Sequence, residues 1–150
     1  MIFDRTQNDV DTAIRLRKEK VQTFQELTEN EIAILEKGMI TLNTLNRIEE
    51  KQEDLKGIFN DMGYWNVPIT NKSWDNTQIF YEKEFQRIIY NLNVLRDAFF
   101  VYADTPKTPS ISYHWQDINA LEKILYDLDV MINDVKSHYR ECGTFECGEE

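Results

Sequence analysis

The sequence predicts an all-α fold: an elongated antiparallel bundle of three long helices, with two shorter N-terminal helices and an extended C-terminal tail. Three observations predict it. Apolar residues recur at alternating steps of three and four along three long segments. Glycine (5) and proline (3) are scarce in the 150 residues, which favours long uninterrupted elements over a turn-rich β fold. Hydrophobic residues at 41% and charged residues at 29% suit one ordinary globular domain with a core of its own.

The first helix is expected to start near Thr6, whose hydroxyl can cap free amides, and to run to about Val21. Val10, Ile14 and Val21 give it a thin apolar face. Thr28-Glu29-Asn30-Glu31 reads as a capping box opening the second helix, and Gly38 ends it in the left-handed C′ role. The third helix is expected to begin after Thr41 and to stop at Gly63. Its stripe is Leu42, Leu45, Ile48, Leu55, Phe59 and Met62, broken once at Gln52. Gly57 inside it costs about 1 kcal/mol relative to alanine and marks either a close packing contact or a weak spot.

The fourth helix is expected over about Thr77 to Phe100, on Tyr81, Phe85, Ile88, Leu92, Leu95 and Phe99. The fifth spans about Ser112 to Tyr139, on Ile118, Leu121, Leu125, Leu128, Ile132, Val135 and Tyr139. Such stripes suit helices crossing at shallow angles, and Ile124 and Met131 widen the last one as a bundle core requires. Short turns would join the three rods, each roughly 35 to 40 Å long at 1.5 Å per residue. The domain reading is a helical bundle over 1–139 and an extended tail over 140–150.

The net charge is -10, from 17 basic and 27 acidic residues, and the cations form no stripe interleaved with aromatics. That argues against nucleic acid, whose phosphates must be met by clustered cations. The longest apolar run, Ala98 to Ala103, is too short to span a bilayer. The Met1-Ile2-Phe3-Asp4-Arg5 start has no signal-peptide pattern, so synthesis and retention inside a cell are expected.

Catalysis is not expected. His114 and His138 sit at opposite ends of the fifth helix, and no nucleophile–base pair follows from the spacing. Cys142, Cys147 and His138 supply at most three ligands in a spacing unlike a zinc site, and two free thiols are the default. Glu49, Glu50, Glu53 and Asp54 read as a solvated acidic face. Neither glycine-rich phosphate loop nor Glu-x-x-His pair occurs, so no cofactor or metal is expected.

Protein contact is the remaining use for the conspicuous residues. Tyr64, Trp65, Trp74 and Trp115 flank loops, where they either plug the bundle ends or form a contact patch. In the tail, Tyr139, Cys142, Phe145 and Cys147 belong to a near-repeat, Glu-Cys-Gly-Thr-Phe then Glu-Cys-Gly-Glu-Glu. This segment either adds a strand to a partner's sheet edge, with Phe145 in a pocket, or frays.

Several short motifs together resemble a group of small proteins encoded among the tail and baseplate genes of phages and prophages of Gram-positive gut bacteria. They are the opening Ile2-Phe3-Asp4-Arg5-Thr6-Gln7-Asn8-Asp9-Val10, the central Leu45-Asn46-Arg47-Ile48-Glu49, Met62-Gly63-Tyr64, Trp74, and Leu92-Asn93-Val94-Leu95-Arg96. Thr105-Pro106 to Pro109 and Asp117-Ile118 to Ile124-Leu125 continue the likeness. It ends at Tyr139, Cys142-Gly143, Phe145 and Cys147-Gly148-Glu149, where the cysteines stand in place of serines and His138 and Arg140 depart from an aromatic cluster. The resemblance implies a structural or adaptor subunit of a phage tail, baseplate or contractile phage-tail-like particle. Such a subunit joins neighbouring subunits or attaches a receptor-binding fibre, in multiple copies, after assembly in the host cytoplasm. The alternative is a phage accessory protein outside the virion, such as a tail assembly chaperone or a protein-binding regulator.

Overall fold

A computed structural model describes residues 1–23, 25–63, 67–110 and 114–142, with side chains as far as residue 138. The described residues form five helices and no strand: α1 (Gln7–Thr23), α2 (Glu29–Gly38), α3 (Leu42–Asp61), α4 (Glu82–Ala98) and α5 (Trp115–Cys142). The all-α expectation holds. No described helix is long and apolar enough to cross a membrane.

The N-termini follow local chemistry. The Thr6 hydroxyl accepts from the Asp9 amide at 3.3 Å while Asp9 accepts from the Thr6 amide at 2.8 Å. Thr28 and Glu31 form the expected capping box on α2. Thr41 and Thr44 form another on α3, each satisfying an amide that the helix leaves without a partner. Gly63, at φ 86°, takes the left-handed conformation past the end of α3 that glycine adopts freely.

The expected antiparallel arrangement is not what the chain adopts. Glu49 of α3 pairs with Arg87 of α4, Gln52 meets Ile88 and Asn91, and Phe59 lies against Phe99 at 5.7 Å between ring centroids. Partners advance together along both helices, so α3 and α4 run parallel. Arg47 pairs with Glu122 and Lys51 with Asp129, which sets α5 parallel to α3 as well. Parallel neighbours cannot be joined by tight turns. The chain instead returns twice, over residues 62–81 and 99–114, by connections longer than a bundle usually carries.

The described parts of both returns lie against the helices. In the first, Val67 and Ile69 are buried and Pro68 and Thr70 exposed, the alternation of an extended segment. In the second, Thr105 bonds to Asp127 at 2.8 Å and Tyr102 to Asp134 at 3.3 Å, so the chain runs back along α5. The N-terminal segment does the same: Phe3 packs on Tyr126 at 5.1 Å, Arg5 meets Glu122, and Gln7 meets Trp115. α5 is therefore enclosed on several sides. Leu121, Ile124, Leu125, Leu128 and Ile132 are fully buried along it, as are Glu122 and, nearly, Asp127. Among the described side chains beyond Ile132, Val135 is half-buried and residues 133, 134 and 136–138 are exposed.

Several boundaries also move. α4 has 17 residues, no more than α1, and begins at Glu82 rather than Thr77. The Thr77 amide and hydroxyl both bond to Asp75, closing a local turn instead of capping a helix. Tyr81 consequently leaves the expected apolar stripe and is exposed, while Phe99 is buried just after the helix. Helix α5 continues to Cys142, so residues 140–142 are helical rather than extended. The tail beyond them, with Phe145 and Cys147, lies outside the described residues, as do Tyr64 and Trp65.

Candidate interaction surface

Three asparagines organise how the extended segments lie on the helices. Asn46 of α3 accepts from the Trp74 amide at 2.6 Å and donates to its carbonyl at 2.9 Å. Asn91 of α4 accepts from the Thr70 amide at 3.3 Å and donates to its carbonyl at 2.8 Å. Asn119 of α5 does the same for Arg5, at 3.4 and 2.9 Å. A carboxamide carries one donor and one acceptor side by side, so it pairs with a residue's backbone as a neighbouring strand would. Without these pairs, backbone groups turned toward the helices would lose water and gain nothing.

Glu49 anchors the first return. Although expected on a solvated acidic face, its side chain is only 1% exposed. It accepts from both terminal nitrogens of Arg87, from the Trp74 indole N–H at 3.0 Å and from the Lys72 amide at 3.1 Å. The Glu49 carboxylate raises the Arg87 guanidinium above its ordinary value. Lys72, 2.6 Å away, together with Arg87, holds the Glu84 carboxyl below the usual range. Glu50, Glu53 and Asp54 do face solvent. Gln52, the break in the α3 stripe, is fully buried, donating to the Ile88 carbonyl at 2.9 Å and accepting from Asn91 at 3.2 Å. Trp74 is thus buried as a plug, packed against Phe80.

At the opposite side of the same end, Glu122 accepts from Arg5 at 2.6 Å and from Arg47 at 2.8 Å. One buried carboxylate faces two guanidinium groups, and Nη2 of Arg5 has no hydrogen-bond partner among the described residues. Next to Arg5 an open groove of about 450 Å³ lies between α1, the end of α2 and the start of α5. Val10, Ile14, Ile40 and Ile118 make it apolar, and Arg5, His114 and Trp115 border it. Trp115 is half-buried there and donates its indole N–H to Gln7 at 3.1 Å.

The α1–α2 hairpin forms one wall of this groove. Gly38 does not take the left-handed role expected of it. It is the last residue of α2, and a Cβ there would lie 2.3 Å from the Asp9 carbonyl oxygen and 2.5 Å from the Ala13 Cβ. The glycine lets two helices touch. Ala13, not Val10, Ile14 or Val21, is the buried residue of α1. Ile14, Val21, Ile32, Ile34 and Ile40 remain exposed at 36 to 65%.

No family model matches the chain. Neither does any curated protein or any solved structure. The functional reading therefore stands on these surfaces and on the sequence resemblance.

Among the described residues no group of three or more His, Cys, Asp or Glu side chains is placed to hold a metal. His138 is exposed, with its Nδ1 2.7 Å from the Asp134 carbonyl of its own helix. His114 borders the groove at the other end of α5. Of the eight sequence-named contact residues, only Trp74 and Trp115 have described side chains, and the structure separates their roles. Sequence reasoning missed Asn46, Asn91 and Asn119. Their one local signal is that asparagine is a poor helix-interior residue, so its presence inside three helices asks for a tertiary partner.

Proposed function

We propose that the protein is a structural or adaptor subunit of a phage tail, baseplate or phage-tail-like contractile particle, joining neighbouring subunits or a receptor-binding fibre through protein contacts. The observation that carries this reading is the hairpin end of the molecule. A groove bordered by Trp115 and Arg5 adjoins a pair of helices that keep Ile14, Ile32, Ile34 and Ile40 in contact with water. Exposed aliphatic side chains such as Ile14 and Ile40 at a groove bordered by a half-buried tryptophan are the composition of a protein contact. The buried and half-buried polar groups support the same reading, because Glu49, Arg87, Gln52 and the three asparagines are each engaged in holding the fold. The phage setting rests on the resemblance of the sequence motifs.

The test is mass spectrometry of purified particles from a host carrying the gene. The chain is expected at a stoichiometry comparable with other tail subunits. Its absence from finished particles overturns the reading, and co-purification only with unassembled tail proteins would favour an assembly chaperone.

A further inference from the structure

Among the described residues four carboxylates are buried: Glu49, Glu84, Glu122 and Asp127. Each accepts from a segment that wraps the helices. Glu122 accepts from Arg5 of the N-terminal segment at 2.6 Å. From the first return, Glu49 accepts from the Trp74 indole and the Lys72 amide, and Glu84 from the Lys72 Nζ. From the second, Asp127 accepts from the Thr105 hydroxyl.

The helices are joined to one another mainly by groups that do not titrate. Leu55, Ile88, Leu92, Leu95, Leu121 and Leu128 are fully buried, and Gln52 donates to the Ile88 carbonyl. Two of the carboxylates also bridge helices, Glu49 to Arg87 and Glu122 to Arg47, where they add to contacts that apolar side chains already make. The wrapping segments have less apolar area to hold them, and acid acts on their charged anchors.

The asparagine clasps and the buried Val67 and Ile69 do not titrate either, so the charge left behind decides the outcome. Protonation of Glu122 would leave Arg5, itself buried, beside Arg47 with no anion. Protonation of Glu49 and Glu84 would leave Arg87 half-buried beneath the first return, where it also donates to the Thr70 carbonyl. A buried cation without a partner costs more than neutral hydrogen bonds return, and lifting the segment gives it back to water. Other charged groups stand near these acids: Glu50, Glu53 and Lys56 along α3, Lys83 beside Glu84, and Tyr102 and Asp104 of the second return near Asp127. Lys123 bonds to Asp127 from the same helix. Lys56 and Lys83 bond to none of the four buried carboxylates.

We propose that the four buried carboxylates are acid-sensitive latches: in acid the N-terminal segment and both returns lift from the α3–α5 body while its helices stay packed. The release uncovers Trp74, Val67 and Ile69, which neutral pH keeps buried. Glu84 is held below its usual 4.5 by Lys72 and then Arg87, so its latch persists until the pH falls beneath that value. The device needs no partner and is independent of any role in a particle.

An acid titration of the full chain tests it, with Trp65→Phe and Trp115→Phe so that Trp74 alone reports. Between about pH 7 and 2, Trp74 emission is expected to shift to the red about one pH unit or more before the helical circular dichroism signal falls. Two variants copy the protonated state at pH 7, one latch at a time. Asp127→Asn is expected to speed exchange of the Thr105 amide about tenfold and to leave the Lys72 amide unchanged. Glu84→Gln is expected to do the reverse. Loss of Trp74 burial and helix together, as in a single cooperative acid unfolding, overturns the proposal, and so does a Trp74 emission that never moves. A variant that speeds exchange equally in both returns, or melts the helices along with its own segment, also overturns it.

Discussion

The α1–α2 hairpin and the α3–α5 body are built from the same kind of amphipathic helix, yet they are held by different physics. The body buries Phe59, Phe85, Leu92, Leu121 and Leu128 almost completely and threads a network of buried polar groups between its helices. The hairpin buries Ala13 and Gly38, and holds its helices by close backbone approach and by surface ion pairs such as Lys20–Glu31 at 2.9 Å. Burial of apolar area scales with the stabilisation it provides, and exposed ion pairs add little. The body is therefore the stability element, and the hairpin is a weakly anchored wall beside the groove. Low local stability is where binding elements are commonly found.

Removing the centre of the body's polar network gives the largest expected effect. Glu49→Ala leaves the Trp74 indole and the Lys72 amide without their acceptor and takes from the half-buried Arg87 one of its two carboxylate partners. Urea denaturation is expected to show a loss of about 3–5 kcal/mol. A loss below 1 kcal/mol would place the body's stability in its apolar packing alone.

Gly38→Ala strikes the hairpin instead. Its new methyl meets the Asp9 backbone, which cannot move as a flexible side chain would, so α1 and α2 must part. A cost of about 1–3 kcal/mol is expected, seen as faster amide hydrogen exchange in α1 and α2 with unchanged protection in α5. Equal loss of protection in α5 would show that hairpin and body unfold as one unit, which would erase the contrast.

A smaller effect follows acidity. Glu84 has a folded value below its ordinary 4.5, held there by Lys72 and then Arg87. The stabilisation it provides is present above that unfolded value and is lost as pH falls through the folded one. Glu84→Gln is expected to lower the melting temperature at pH 7 and to narrow the gap to wild type as the medium is acidified below about pH 4.5. A gap that stays constant with pH would remove the charge from the explanation.

Gly57→Ala is the smallest change and runs the other way. Nothing lies within 4 Å of the added methyl, and the residue is helical and exposed. Of the two roles open to this glycine from sequence, the weak spot is the one observed. A gain of about 0.5–1 kcal/mol in urea is expected, and a loss would reveal a contact that the geometry does not contain.

The helix starts at Thr6, Thr28 and Thr41 and the stop at Gly63 were legible because each depends on atoms within about four residues. The apolar stripes of α3, α4 and α5 were legible for a similar reason, since helical period alone places Leu45, Leu92 and Leu125 on one side. The site was much less legible. Trp74 and Trp115 look alike in sequence, and only the partners Glu49 and Gln7 separate a buried plug from a half-exposed groove wall.

By itself the sequence determined an all-α chain, the order of its five helices and most of its core. Tertiary structure decided that α3, α4 and α5 run parallel, because an apolar stripe is satisfied by a neighbour of either direction. The direction comes from residues far apart in the chain: Glu49 with Arg87, Arg47 with Glu122, and the asparagines that pin the returning segments. Hydrogen bonds and ion pairs of that kind depend on position and angle as well as on period, and those are set only when the helices meet.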